Sequence, residues 1–168
     1  LPEAGEKIGR GIMPRAVLIL VGDGNLKEEY EQIATDLFGV GLKARGHRIV
    51  FAGFRADIPA FLSLFDIFAM SSKEEGLGTS VLDAMAAGLP VITTDHAAIS
   101  ESVKENVNGF LVEKKSAKAV AEKIRYLIEN PDRIQEMGRR SREMYEQGFT
   151  QDIMIERLAQ VFRDTAAR

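Results

Sequence analysis

Short runs rich in β-branched and aromatic residues alternate with stretches of helical periodicity through residue 112. This alternation constrains the fold more than any other feature of the chain. The runs 16–21 (AVLILV), 48–52 (RIVFA), 67–71 (IFAMS), 90–94 (PVITT) and 109–112 (GFLV) read as strands. The first is apolar without alternation, the pattern of a strand buried on both faces. Helical segments at 26–45, 57–64, 79–87 and 98–104 separate the runs. A βαβα order implies an α/β domain: a parallel β-sheet flanked by helices. After Val112 the pattern is helical only. Ala117, Val120, Ala121, Ile124, Leu127 and Ile128 recur at helical spacing behind Ser116, a good N-cap. Asn130-Pro131 restarts a helix with proline at its first position, and Gly148 stops it. Residues 151–167 form a last amphipathic helix with Met154, Leu158, Val161 and Phe162 on one stripe, completing an all-helical C-terminal tail. With no repeat and no low-complexity linker, residues 1–168 read as one domain. Residues 1–15 carry no firm element, although 1–8 fit the end of a helix.

Several function classes drop out. A net charge of −3 lacks the basic surface that nucleic acid requires. The absence of cysteine excludes a disulfide framework and thiolate metal sites. No apolar run approaches the roughly 20 residues of a membrane span. The N-terminus has no signal-peptide pattern, so cytoplasm is the expected location. Two separated histidines without a DxD-like acidic cluster predict no metal site, and no cofactor is expected.

The run SSKEEGLGTSVLDAMAAGLPVITTD, residues 71–95, carries the chemistry. Gly76-Leu77-Gly78-Thr79-Ser80 is a glycine loop feeding a helix. Gly78 permits φ > 0 and close approach of a ligand. The first N–H groups of that helix lack intrahelical partners and face an anion favourably. The alternative is a plain strand-to-helix turn capped by Thr79. Glu75 precedes the loop, and Asp83 follows it by one to two helical turns. Helical Cβ atoms tilt toward the N-terminus, so Asp83 leans toward the loop's mouth, off the apolar stripe of Leu82, Met85 and Ala86. A carboxylate there accepts hydrogen bonds from two adjacent hydroxyls. The alternative is a solvated Glu75 and an Asp83 that merely favours a helix N-terminus. Gly88-Leu89-Pro90 is a helix stop that keeps Asp83 near the helix start. An anion cradle flanked by two diol-binding carboxylates fits phosphate beside sugar.

Four further positions fall at the carboxyl ends of strands, where ligands bind in open parallel sheets. Gly22-Asp23-Gly24 follows the first strand but lacks a third glycine, since Lys27 stands there. It reads as a tight turn near the cleft, with Gly22 close to ligand, and not as a dinucleotide fingerprint. At Phe54 and Arg55 the backbone is placed to read a base edge, and Arg55 to approach phosphate; a solvated cation is the alternative. His96 follows the fourth strand, within reach of a sugar or phosphate. His47 lies at the opposite end and reads as structural or exposed.

Residues 72–91 together resemble the signature of retaining GT-B glycosyltransferases, S-x-x-E-G-x-G-x-x-x-L-E-A-M-A-x-G-x-P-V, with its E-x7-E pair. VLILVGDG, IVFAGF, DIFAMSS and NGFLV before an alanine-rich helix are also similar to the donor-binding C-terminal domain of that family. The resemblance implies a Rossmann-like domain that binds a nucleoside-diphosphate sugar. It implies sugar contact by Glu75, the catalytic position, and ribose contact by Asp83. Backbone near Leu77, Gly78, Thr79 and Ser80 would hold the diphosphate, and backbone near Phe54 and Arg55 the base. It implies metal-free, front-face transfer with retention, and a link to polysaccharide or glycolipid assembly.

Two departures stand out. Asp83 replaces the motif glutamate, a side chain shorter by about 1.5 Å. The family's acceptor-binding N-terminal domain, its first C-domain strand and its arginine–lysine diphosphate clamp do not match within residues 1–15. The resemblance therefore implies a piece of a two-domain enzyme, inactive alone, with peripheral membrane association open to the whole protein. Competing readings are a GT-B-like sugar-nucleotide epimerase or phosphorylase, and a non-catalytic nucleotide-binding module.

Overall fold

The computed structural model describes residues 16–39, 43–44, 47–72, 78–97 and 99–166. It divides into two compact units that meet in the chain between Ile58 and Pro59. The helix end expected over residues 1–8 lies outside the described residues, as do Glu75, Gly76 and Leu77.

The first unit holds strands β1 (Val17–Val21), β2 (Lys43–Ala44) and β3 (His47–Gly53) and helix α1 (Lys27–Phe38). Strand order is β1-β3-β2. The β1–β3 pair is parallel, running from Val17↔Arg48 to Val21↔Gly53 with an irregularity between Leu20 and Val21. The β2–β3 pair is antiparallel. The helix expected over 26–45 therefore ends early. Gly39 stops it at φ 78°, its N–H bonding the Thr35 carbonyl, and the following chain supplies β2 instead. The expectation that β1 is buried on both faces is also corrected. It lies at the edge of its sheet, and Val17, Leu18, Leu20 and Val21 are all exposed. Its uniform apolarity calls for cover that the described residues do not supply.

The second unit holds β4 (Phe68–Met70), α3 (Thr79–Ala86), β5 (Val91–Thr94), β6 (Gly109–Val112), α4 (Ala117–Glu129), α5 (Pro131–Gly148) and α6 (Gln151–Ala166). Helix α2 (Ile58–Leu62) carries the boundary between the units. The sheet is parallel with order β4-β5-β6, and every residue of the central strand β5 is buried. Ile92, Phe110, Val112, Leu127 and Met137 form the core, flanked by Ile67, Ala119, Val120, Ile124 and Ile134. Each large side chain buried there stabilises by about 1.5–3 kcal/mol.

The capping expectations hold. Ser116 Oγ accepts from Ala119 N at 3.2 Å, and Pro131 opens α5. Helix α6 buries none of its residues, and Met154, Leu158, Val161 and Phe162 are each more than half exposed. The helix expected over 98–104 is not formed among its described residues, which make turns. Ile99 and Ser100 N–H donate to the His96 carbonyl, and Ser102 and Val103 N–H to that of Ile99. Propagation fails because the buried Asn108 side chain takes over the next backbone groups. Its Oδ1 accepts from Lys104 N at 2.7 Å and its Nδ2 donates to the Ser102 carbonyl at 2.9 Å. The Asn108 carbonyl also accepts from Val91 N and Ser141 Oγ, tying this turn to β5 and α5.

Helix α5 holds α3 in place. Gly138 packs against the Gly88-Pro90 turn so closely that a Cβ there would collide with the Gly88 carbonyl. The Arg142 guanidinium donates to the Ala86 carbonyl at the end of α3. Among the described residues no helix is long and apolar enough to cross a membrane.

Candidate functional site

Helix α3 starts at a glycine. Gly78 is its N-cap, in the left-handed region at φ 65°, ψ 40°, and no side chain among the described residues caps the helix. An L-residue with a Cβ is strained in that conformation, so glycine is required locally. Thr79 is the first helical residue, which removes the alternative of a Thr79-capped turn. Val81 and Leu82 N–H bond back to the Gly78 carbonyl at 2.8 and 3.2 Å. Thr79 and Ser80 N–H make no hydrogen bond among the described residues, and as the first helical donors they lie at the positive end of the helix.

Asp83 is exposed and lies one turn beyond Thr79 and Ser80, on the same side of the helix. The buried stripe consists of Val81, Ala84 and Met85, with Leu82 and Ala86 half-buried. The expected stripe of Leu82, Met85 and Ala86 is thus corrected by about one position, and Asp83 stays off it. Gly88 ends the helix at φ 75°, its N–H and that of Leu89 reaching back to the carbonyls of Met85 and Ala84. Glycine in the left-handed region just past the last turn is the expected stop.

A second cluster lies at the end of β5. Thr94 Oγ1 donates to the Ser72 carbonyl at 2.7 Å, and His96 Nε2 sits 3.1 Å from the same oxygen. Both side chains are buried. His96, expected to reach a sugar or phosphate, thus has its Nε2 on the backbone. Sequence reasoning passed over Thr94 and Ser72; the available signal was a hydroxyl at the carboxyl end of a buried strand.

In the first unit, the turns after β1 and β3 are joined by Gly22 N donating to the Gly53 carbonyl at 2.8 Å. Gly22 and Gly53 have φ of 131° and 66°, which explains glycine at both. Lys27, the residue that breaks the third-glycine pattern, pairs with Asp23 at 3.5 Å. Phe54 is highly exposed. Arg55 forms a bidentate pair with Asp57, Nε to Oδ1 at 2.9 Å and a terminal nitrogen to Oδ2 at 2.8 Å. That hydrogen bonding holds the Asp57 carboxyl below its ordinary range and raises Arg55. Arg55 is therefore paired and not a solvated lone cation. Among the described residues no group of three or more histidine, cysteine or acidic side chains is arranged to hold a metal ion.

The structure brings Gly78, Thr79, Ser80 and Asp83 together at the start of α3. It brings Ser72, Thr94 and His96 together at the end of β5, and Gly22 beside Gly53, Phe54 and Arg55 in the other unit.

Known proteins share this arrangement of elements. The crystal structure of Anabaena Alr3699/HepE in complex with UDP is similar at a TM-score of 0.77 and 26% identity, covering 89% of this chain and 41% of that one. A GDP-mannose-dependent alpha-(1-6)-phosphatidylinositol monomannoside mannosyltransferase of Mycobacterium tuberculosis is 34% identical over 163 residues, 91% of this chain and 41% of that protein. The lipopolysaccharide core biosynthesis glycosyltransferase LpsE of Rhizobium meliloti is 33% identical over 116 residues, 69% of this chain and 32% of that protein. This chain thus spans between 32% and 41% of the length of these proteins. The profile of the family Glycosyl transferases group 1 matches residues 3–144. The chain belongs to the group 1 glycosyl transferases.

Proposed function

We propose that this chain is the donor-binding domain of a retaining glycosyltransferase and binds a nucleoside-diphosphate sugar. The observation that carries the reading is the start of α3. Gly78 opens the helix in the left-handed region, Thr79 and Ser80 N–H make no hydrogen bond among the described residues and are offered to a diphosphate, and Asp83 stands one turn away for the ribose diol. Two relatives support it through their nucleotides, UDP in the Anabaena structure and GDP-mannose in the mycobacterial name.

In this reading Glu75 touches the donor sugar's hydroxyls, Leu77 to Ser80 cradle the diphosphate, and Gly22 lets the backbone approach the cleft. Backbone at Phe54 and Arg55 reads the base. The acceptor hydroxyl attacks the anomeric carbon on the face that the diphosphate leaves. The charge developing on the diphosphate is stabilised by fixed N–H donors, without a metal. Acceptor binding belongs to the rest of a longer two-domain protein, so this chain alone transfers no sugar. A cytoplasmic site, with the whole protein peripheral at the inner membrane face, completes the reading.

Titration of the chain with UDP, GDP and ADP, followed by heat or NMR shifts, tests it. Saturable binding of one nucleotide is expected. Asp83→Ala should weaken it by about 10- to 100-fold, the value of one hydrogen bond to a charged group. Binding that is indifferent to Asp83→Ala would refute the ribose contact. Failure of the full-length protein to bind any of them would refute the donor reading.

A further inference from the structure

Helix α3 is eight residues long, about 12 Å from end to end, and joins the proposed donor site to helix α5. The carbonyls of its last turn have partners of two kinds. Those of Asp83, Ala84 and Met85 accept from Ala87, Leu89 and Gly88 N–H in the turn that follows. That of Ala86 accepts instead from the Arg142 guanidinium, 56 positions later in the chain. Arg142 Nε donates at the same time to Glu146 Oε1 at 2.6 Å, so a carboxylate one turn along α5 orients the guanidinium. The Arg142 stem runs past the stop of α3, its Cβ 3.9 Å from the position a Cβ would take at Gly88. Carbonyls at a helix end point along the axis, so this bond fixes where α3 sits lengthwise. The buried stripe of Val81, Ala84 and Met85 holds the helix laterally. The Arg142 cation also stands at the negative end of the helix dipole, opposite the end offered to a diphosphate.

We propose that Arg142 is a positioning residue of the donor site. Thr79, Ser80 and Asp83 belong to the same uninterrupted helix as Ala86. A hydrogen-bonded helix moves as one piece, so a lengthwise slip at Ala86 reaches the Thr79 and Ser80 N–H and the Asp83 carboxylate undiminished. A slip of about 1 Å takes an N–H···O contact from about 2.9 Å to beyond hydrogen-bonding length. The inference rests on the donor reading above. It adds a residue of α5 that acts through α3 and not on the ligand itself.

The test titrates the full-length protein with UDP, GDP and ADP, well below the unfolding midpoint of each variant, so that only folded protein is compared. Arg142→Met keeps the stem and removes the donor, whereas Arg142→Lys keeps a cation able to bond one carbonyl. Arg139→Met is the control, because Arg139 lies on the same helix, pairs with Glu143 and carries the same charge. Arg142→Met should weaken binding of the nucleotide that the parent takes by about tenfold, the low end of one hydrogen bond to a charged group. Arg142→Lys should recover most of that affinity, and Arg139→Met should leave it unchanged. In an Asp83→Ala background the effect of Arg142→Met should shrink, because one of the contacts it misplaces is already gone. A loss of stability with affinity intact would overturn the proposal. So would an equal loss of affinity in Arg139→Met, a loss that Lys does not recover, or full additivity with Asp83→Ala. Should Arg142→Met not fold, Glu146→Ala, which removes the carboxylate orienting the guanidinium, carries the same comparison. With a parent that binds, each of these outcomes leaves the donor reading standing; a parent that binds none of the three nucleotides overturns both.

Discussion

Replacing Gly138 by alanine sets two opposing effects against each other in one residue. Gly138 lies inside α5, where alanine is the better helix former by about 1 kcal/mol. Against this, a Cβ built at Gly138 falls closer than 3.0 Å to the Gly88 carbonyl oxygen, a separation real Cβ atoms essentially never show. It also lies 3.3 Å from the Gly88 carbonyl carbon and 3.6 Å from Pro90 Cδ. The obstacle is backbone, held by the turn that ends α3, so no side-chain rotation relieves it. Helix α5 has to move away, which loosens the Arg142–Ala86 and Ser141–Asn108 hydrogen bonds. Overpacking of this kind costs typically 1–3 kcal/mol. Taking the upper end because both partners are backbone, and subtracting the propensity gain, the net is about 2 kcal/mol of destabilisation. That corresponds to a fall in Tm of roughly 4–8 °C.

Gly148, at the end of the same helix, has nothing within 4 Å of its Cβ position. Gly148→Ala is the control and should be neutral or stabilising by up to about 1 kcal/mol. Urea unfolding followed by circular dichroism measures both. A Gly138→Ala protein as stable as its parent would refute the close-packing argument.

Two more predictions follow from individual side chains. Thr93 Oγ1 is buried and has no hydrogen-bond partner among the described residues. Thr93→Val removes an unsatisfied hydroxyl at nearly constant shape and should be neutral or stabilising by about 1 kcal/mol in the same urea assay; a clear loss of stability would show that the hydroxyl is bonded. Asp57 titrates below its ordinary value because Arg55 bonds to it. A carboxylate depressed in the folded state contributes stability above its unfolded pKa and loses it as pH falls through the lower folded value. In an NMR titration of Asp57, Arg55→Ala should move the midpoint up toward about 3.9, and an unmoved midpoint would contradict the pair.

Local signals made much of the fold and part of the site legible in the sequence. Periodicity located β1, β3, β4, β5 and β6, and the helices from α3 onward, because each element's pattern repeats within its own few residues. Ser116, Pro131 and Gly88 marked helix ends because capping is chemistry between neighbours. Gly78 and Asp83 were readable for the same reason: one supplies a left-handed φ, the other a position on a short helix. Gly39, which ends α1, was an equally local signal against a helix running through 45.

What only the tertiary structure decided involves partners far apart in the chain, which leave no period behind. From the sequence, Gly138 is merely a weak residue in a helix; its reason is Gly88, fifty positions earlier. Asn108 reads as a turn residue, and its burial among Lys104, Ser102, Val91 and Ser141 requires β5 and α5 to be in place. His96 reads as a side chain within reach of a sugar or phosphate, and its contact with the Ser72 carbonyl is set only by the fold. The division of the described strands into the sheets β1-β3-β2 and β4-β5-β6 follows from strand pairing. An apolar run signals only that it needs cover; the fold places β5 between β4 and β6, where it is buried, and leaves β1 exposed among the described residues.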